Sequence, residues 1–495
     1  MATIVERDRE EEVGEVKKYD MHVSLRYLEL TKRKLELTRL PREVTVAKDQ
    51  KWDYGVPKGV LEPLVDFWLQ DYDWRAQEAL LNVSLPQFRV RITVDQDLPT
   101  SPAPDVRAKI PPLRMHFVHK RCAIDNAIPL LYCHGWPGSF IEVSKMIDPL
   151  TQPVEAPGGG EMQAFHVVAP SIPGFGFSDA VMDEGFGPRG TADVFDALMQ
   201  ELGYEWYVVH GVGWGMKVAR ALALQHPSRC LAVHTVSPEL REPSTPRTFG
   251  VWLKYKIARL TNGRIRPLSF GFVPSDFDAH RSKDKDVNQR LPDDDVIHPH
   301  TARPQTSSYA LCDSPVALLS CIIDAIYLTS GVRILGPDDT PTQATPAWTY
   351  TDIVNWTMMQ WLPGPEAALR WLRQARKESE EHLWNRSCNV PMGVSTYRQK
   401  STEGEAPAAG GKKDAPTASR QPAWTADIPN LQWTKRREGE TTGRDIPAWE
   451  KPDDVVLDLR ECFGDLARRG ILEVPSDDDR AFDDSVELEN VHGRV

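Results

Sequence analysis

At 495 residues, with 41% hydrophobic and 26% charged side chains, the chain has globular composition and is long enough for one large domain with an insertion or for two to three average domains. A formal net charge of −12 argues against the clustered basic surface that nucleic acid requires. The seven cysteines contain no CxxC pair, and a chain of this length does not need disulfides, so they read as reduced, mostly packed thiols.

The opening residues MATIVERDREEEVGEVKKYD are charged throughout, so neither a signal peptide nor a membrane anchor is expected in them. Residues 1–25 read as a solvated tail, followed by a lead segment over 26–127. Within it, 71–82 is expected to be a helix that carries Trp74 and Leu80 inward, and 116–140 two strands joined by a turn. Strands are expected at 128–133, 165–169, 206–210, 230–236 and 388–392, with a helix at 216–226. This alternation belongs to a mostly parallel sheet covered by helices. Residues 128–238 form the first half of that core, and 239–361, aromatic-rich and punctuated by proline, read as an inserted helical lid. The longest apolar run, 316–328, is interrupted by Asp324 and is too short to span a bilayer. Residues 362–474 complete the core around a surface loop at 400–421, and 475–495 are an acidic tail. A soluble, cytoplasmic protein without a membrane anchor is expected.

Three glycine-rich turns follow the first three core strands. They are His134-Gly135-Trp136-Pro137-Gly138-Ser139, Pro173-Gly174-Phe175-Gly176-Phe177-Ser178 and His210-Gly211-Val212-Gly213-Trp214-Gly215. In an open α/β sheet, such turns at the carboxyl ends of strands line the active crevice. The first places backbone N–H groups where negative charge develops. Together with YDWRAQEALLN, HFVHKR, IPLLYCHGWPGSF, SIPGFGFSDA, YALCDSPVALL and AWEKPDDVVLDLRECF, they make the chain resemble the microsomal-type epoxide hydrolases from about Leu28 to about Arg469. The fold expected is α/β: an α/β-hydrolase core sheet, an inserted mainly helical lid and the N-terminal segment of that family.

The resemblance implies a two-step opening of an epoxide. An Asp at the turn after the third strand attacks carbon, a His oriented by a Glu activates water to cleave the ester, and two lid tyrosines protonate the oxygen. The family's Gly-Gly-Asp-Trp-Gly reads here as Gly211-Val212-Gly213-Trp214-Gly215, so Gly213 leaves the nucleophile position vacant. The base position holds Asp445 and the acid position Lys400, with Glu403 and Glu405 just beyond. The tyrosine positions hold Val296 and Leu372. Lys400 and Asp445 are expected to form an ion pair between their loops. Tyr309 lies in the lid, in a segment other than the proton-donor one.

Each of these residues also has a structural reading. His210, beside the vacant turn, reads as a hydrogen-bonded packing residue, with general base as the sharper alternative. Asp445 reads as a loop carboxylate before it reads as a proton carrier, and His134 as a brace of its own loop. Asp313 reads as the group that fixes a helix start in the lid. Trp136, Phe175 and Trp214, which stand on the crevice turns, read as pocket lining. No cofactor is expected. The His298–His300 pair, split by Pro299, has no clear third ligand and reads as lid surface rather than a metal site.

Three functions remain open. The chain holds an apolar small molecule, an epoxide or a related metabolite, without covalent hydrolysis, either binding it or steering an isomerisation or cyclisation. In that case the backbone N–H groups of Trp136 and Trp214 serve as the oxyanion site, and His134, Phe175, His210, Val296 and Leu372 stand around the ligand. Alternatively, it is an epoxide hydrolase in which Asp445 activates water directly, or a binding or scaffold protein without turnover.

Overall fold

The computed structural model describes residues 13–46, 48–94, 110–124, 126–152, 155, 162–237, 249–261, 265, 268, 298–330, 344–345, 348–379, 383, 388–399, 430–439 and 446–472. The first 12 residues, the 400–421 loop and the acidic tail 475–495 lie outside them.

Residues 13–25, expected within a solvated tail, instead join the core: β1 (Lys17–Lys18) pairs with residues 88–89, and Met21 and Val23 are buried. The lead segment continues with α1 (Leu25–Glu36), α2 (Lys58–Gln70) and α3 (Trp74–Ser84). Asp73 caps α3 by accepting from the Ala76 N–H at 3.3 Å. With α3 started there, the helical period sets Trp74, Glu78 and Leu81 on the inward face. Leu80, expected inside, is 59% exposed, because it falls one residue, about 100°, off that face.

The sheet comprises β1, β2 (Gln87–Ile92), β3 (Leu113–Lys120), β4 (Ile128–Cys133), β5 (Phe165–Pro170), β6 (Tyr207–Gly211), β7 (Cys230–Val236), β10 (Met392–Gln399) and β11 (Leu431–Gly439). Their spatial order is β1-β2-β3-β5-β4-β6-β7-β10-β11, antiparallel from β1 through β5 and parallel from there to β11. All six residues of β4 are buried, as a central parallel strand covered on both faces requires. The strand expected at 388–392 lies one segment later. Cys388 and Val390 are buried ahead of the strand, the Val233 N–H of β7 bonds the Pro391 carbonyl at 2.9 Å, and Met392 is the first residue in register with Val233.

The helices α4 (Ile147–Thr151), α5 (Pro188–Glu201) and α6 (Trp214–Gln225) follow core strands. From there the described residues form α7 (Phe249–Leu260), α8 (His298–Ala302), α9 (Pro304–Leu311), α10 (Pro315–Ser330), the short pair β8 (Ala344–Thr345) and β9 (Trp348–Thr349), α11 (Tyr350–Trp361) and α12 (Glu366–Glu378). The chain then returns through α13 (Pro447–Glu450) to α14 (Pro452–Arg468). No single helix among the described residues is long and apolar enough to cross a membrane.

The lead segment is tied to α10 and α11 by side chains. Trp361 Nε1 donates to Thr31 Oγ1 at 2.8 Å, Tyr72 Oη donates to Asn355 at 2.6 Å, and Trp52 stacks on Tyr327 at 3.8 Å. Ser314, rather than Asp313, caps α10, accepting from the Ala317 N–H at 3.1 Å. Asp313 is one residue too early for that role and instead meets the Lys34 ammonium of α1 at 2.5 Å.

Candidate functional site

Between β6 and α6 the backbone turns sharply through Gly213, whose φ of 54° and ψ of −117° lie in a region side chains rarely tolerate. The approach of backbones there is equally demanding. A Cβ on Gly215 would overlap the Cys133 carbonyl, and one on Gly135 would stand 3.4 Å from the Gly215 nitrogen and 3.5 Å from that of Trp214. The His134–Ser139 turn is thereby seated, at Gly135, directly against the start of α6.

That turn is held from within and from above. His134 donates from Nδ1 to the Gly135 carbonyl at 3.0 Å and accepts the Ile172 N–H on Nε2 at 3.0 Å. Its partners fix the neutral tautomer, and burial lowers its pKa to about 4. From α11, Gln360 donates to the Pro137 and Gly138 carbonyls at 3.2 and 2.8 Å. Behind the turn, the Glu142 carboxyl accepts from Tyr132 Oη at 3.0 Å and from the Gly135 N–H. Burial pushes this carboxyl up to about 8, so it is mostly protonated at neutral pH. Glu142 was not singled out in the sequence. Its signal is an acid inside the apolar run Phe140–Val143.

Trp136, Phe175 and Trp214 are all buried. Phe175 packs against the His134 ring at 5.5 Å and edge-on to Trp371 of α12 at 5.8 Å, while Trp214 meets the same Trp371 at 6.5 Å. Trp371 Nε1 donates to Thr191 of α5 at 2.9 Å, and the Lys217 ammonium lies 3.9 Å over the Trp214 ring. The α12 helix and the core turns thus share one aromatic cluster.

His210 stands at the end of a polar row that crosses three strands. Its Nδ1 is 3.1 Å from His234 Nδ1, His234 Nε2 is 3.0 Å from Ser395 Oγ, and Ser395 Oγ donates to Asp458 of α14 at 2.6 Å. Asp458 also accepts from Arg437 at 2.7 Å. The polarity of the row follows from this anionic end. Ser395 gives its only proton to Asp458 and so accepts from His234 Nε2–H, which leaves His234 Nδ1 to accept from His210 Nδ1–H. His210 Nε2 is then a bare acceptor, buried without a partner among the described residues. Burial holds His210 well below its ordinary pKa and His234 near 3, so both rings are neutral. Along β6 residues alternate between faces. His210 therefore faces the α14 layer, whereas Gly211 meets Gly215 of α6 on the other.

The remaining candidates divide. Leu372 is fully buried on α12, and Tyr309 is 74% exposed on α9. His300 Nε2 lies 3.6 Å from Cys321 Sγ, and no group of three or more metal-ligating side chains occurs among the described residues. Val296, Lys400, Glu403, Glu405 and Asp445 lie outside the described residues, and with them the expected ion pair.

A mixed sheet of this strand order, a glycine-bearing turn from strand to helix after β6 and a facing His-Gly-Trp-Pro turn define an α/β-hydrolase. Residues 16–143 match the family profile "Epoxide hydrolase N terminus", and residues 128–281 match that of the α/β-hydrolase fold. A Stigmatella aurantiaca (strain DW4/3-1) protein assigned as an epoxide hydrolase is 30% identical over 454 residues, covering 88% of this chain and 82% of that one. Pig epoxide hydrolase 1 is 30% identical over 282 residues, 56% of this chain and 55% of its own length. Among solved structures, Aspergillus niger epoxide hydrolase superposes with a TM-score of 0.61 at 22% identity, covering 90% of this chain and 95% of that one. The juvenile hormone epoxide hydrolase of the silkworm Bombyx mori has the same TM-score at 20% identity, covering 92% and 94%. The chain belongs to the microsomal-type epoxide hydrolase family.

Proposed function

We propose that this protein holds an apolar small molecule, an epoxide or a closely related metabolite, in the crevice between the His134–Ser139 turn and α12, and does not hydrolyse it through a covalent ester. The observation that carries this reading is Gly213 at the tip of the turn between β6 and α6. That is where the family's nucleophile stands, and glycine has no atom with which to attack carbon. The backbone donors of Trp136 and Trp214 do not depend on side chains and persist as a place for a ligand oxygen. Buried Leu372 offers no hydroxyl to a leaving oxygen, which fits a site that binds rather than opens the ring. Asp445 and Lys400, in the base and acid positions, belong to the same reading, which rests on the sequence for both.

The test is single-turnover opening of styrene oxide in oxygen-labelled water by the native chain and by Gly213→Asp, alone and combined with Asp445→His and Lys400→Glu. Silence from the native chain with diol from the triple variant supports retained epoxide binding without hydrolysis. Labelled diol from the native chain, above a mock-purified control, overturns the reading and points to direct activation of water.

A further inference from the structure

Three tryptophans pack together beside the crevice: Trp348 of β9, Trp356 of α11 and Trp449 of α13. Their ring centroids are 4.9 Å apart for Trp348–Trp356, 5.4 Å for Trp356–Trp449 and 5.9 Å for Trp348–Trp449. All three are buried. Trp348 Nε1 donates to Glu450 at 2.9 Å, but the Nε1–H groups of Trp356 and Trp449 have no acceptor among the described residues. An indole nitrogen can only donate, and buried donors are rarely left unpaired. Two such donors on rings in direct contact therefore call for an acceptor that none of the described residues supplies.

The location narrows what that acceptor is. Trp356 sits on the same helix as Gln360, which holds the Pro137 and Gly138 carbonyls of the crevice turn. Trp449 follows position 445 by four residues, and its carbonyl accepts from Lys145, just beyond that same turn, at 3.1 Å. The Lys145 ammonium also covers the Trp449 ring at 3.9 Å. The cluster thus joins the lid-side helix, the segment after the His134–Ser139 turn and the segment after position 445.

We propose that Trp356 and Trp449 form a subsite for a neutral acceptor oxygen, a carbonyl, ether or epoxide oxygen, on the apolar ligand. The proposal rests on the ligand-binding reading above and names the polar handle that reading lacks. An indole N–H holds an oxygen without transferring its proton. The subsite therefore positions a ligand oxygen, and it does not open a ring.

Benzophenone and diphenylmethane, which differ chiefly in the acceptor oxygen, are the probes. Equilibrium dialysis against the full chain is expected to show benzophenone bound about tenfold more tightly, the effect of one good hydrogen bond. Trp356→Phe with Trp449→Phe is expected to erase that preference while leaving diphenylmethane within about twofold. Should the double variant misfold, the indole N–H resonances of Trp356 and Trp449 in the native chain decide: both shift with benzophenone and neither with diphenylmethane. Equal binding of the two probes by the native chain overturns the subsite alone, as does a preference unchanged in the double variant, which assigns the two donors to buried water. Binding of neither probe overturns the subsite together with the ligand-binding reading. Diol formation in the styrene oxide assay bears only on the absence of hydrolysis.

Discussion

Glu142→Gln tests whether a protonated carboxyl supports the crevice turn. Buried behind Gly135 and bonded to Tyr132, Glu142 is carried from an ordinary value of 4.5 to about 8. Below about pH 4.5 both folded and unfolded chains carry the proton. Between there and about pH 8 the unfolded chain loses it while the folded chain keeps it, so stability falls as pH rises. Above pH 8 both forms are ionised and the loss is constant. Integrated over that window, the folded state is about 5 kcal/mol less stable at high pH than an untitrating equivalent. The buried histidines oppose this trend. His134 and His234, held neutral down to about 4 and 3, cost stability as pH falls below their ordinary value near 6.5. The difference between variant and native chain isolates the carboxyl, because glutamine resembles its protonated form and leaves the histidines in place. Urea unfolding should give similar stabilities for the two near pH 4.5, with Glu142→Gln gaining several kcal/mol by pH 8.5. A difference that stays flat across this range refutes the argument.

Gly213→Ala, which adds no reactive group, is expected to lower stability by about 1–3 kcal/mol through its positive φ alone. An unchanged urea midpoint would show that the turn relaxes without strain. The histidine row predicts nitrogen NMR shifts of an Nδ1–H tautomer for His210 and an Nε2–H tautomer for His234, and the reverse pattern in either ring breaks the assignment. Ser395→Ala should cost about 1–3 kcal/mol, since it removes the Asp458 bond and leaves a buried His234 nitrogen unpaired. No loss in calorimetry would mean that water replaces the hydroxyl.

Much of this fold was legible because local chemistry and tertiary role coincide. The runs at 128–133 and 230–236 are apolar enough to be central strands wherever they are placed, and β4 and β7 have those bounds. The glycine turns were legible because a sharp strand-to-helix turn, with positive φ at Gly213, favours glycine from the backbone conformation alone. Leu80 was misread within the period of its own helix, but the other misread positions are those where a neighbour distant in sequence decides. The strand at Met392 begins where β7 is there to pair with it, and Asp313 turns to Lys34, 279 residues earlier in the chain. Composition likewise says nothing about Glu142 remaining protonated, about Asp458 setting the tautomers of two histidines on other strands, or about which two of three packed tryptophans lack an acceptor among the described residues. By itself the sequence determined the strand and turn order and the absence of a side chain at 213, because both follow from residue type and spacing. Only the tertiary structure decided protonation and hydrogen-bond polarity, because these depend on burial and on partners brought together across the sheet.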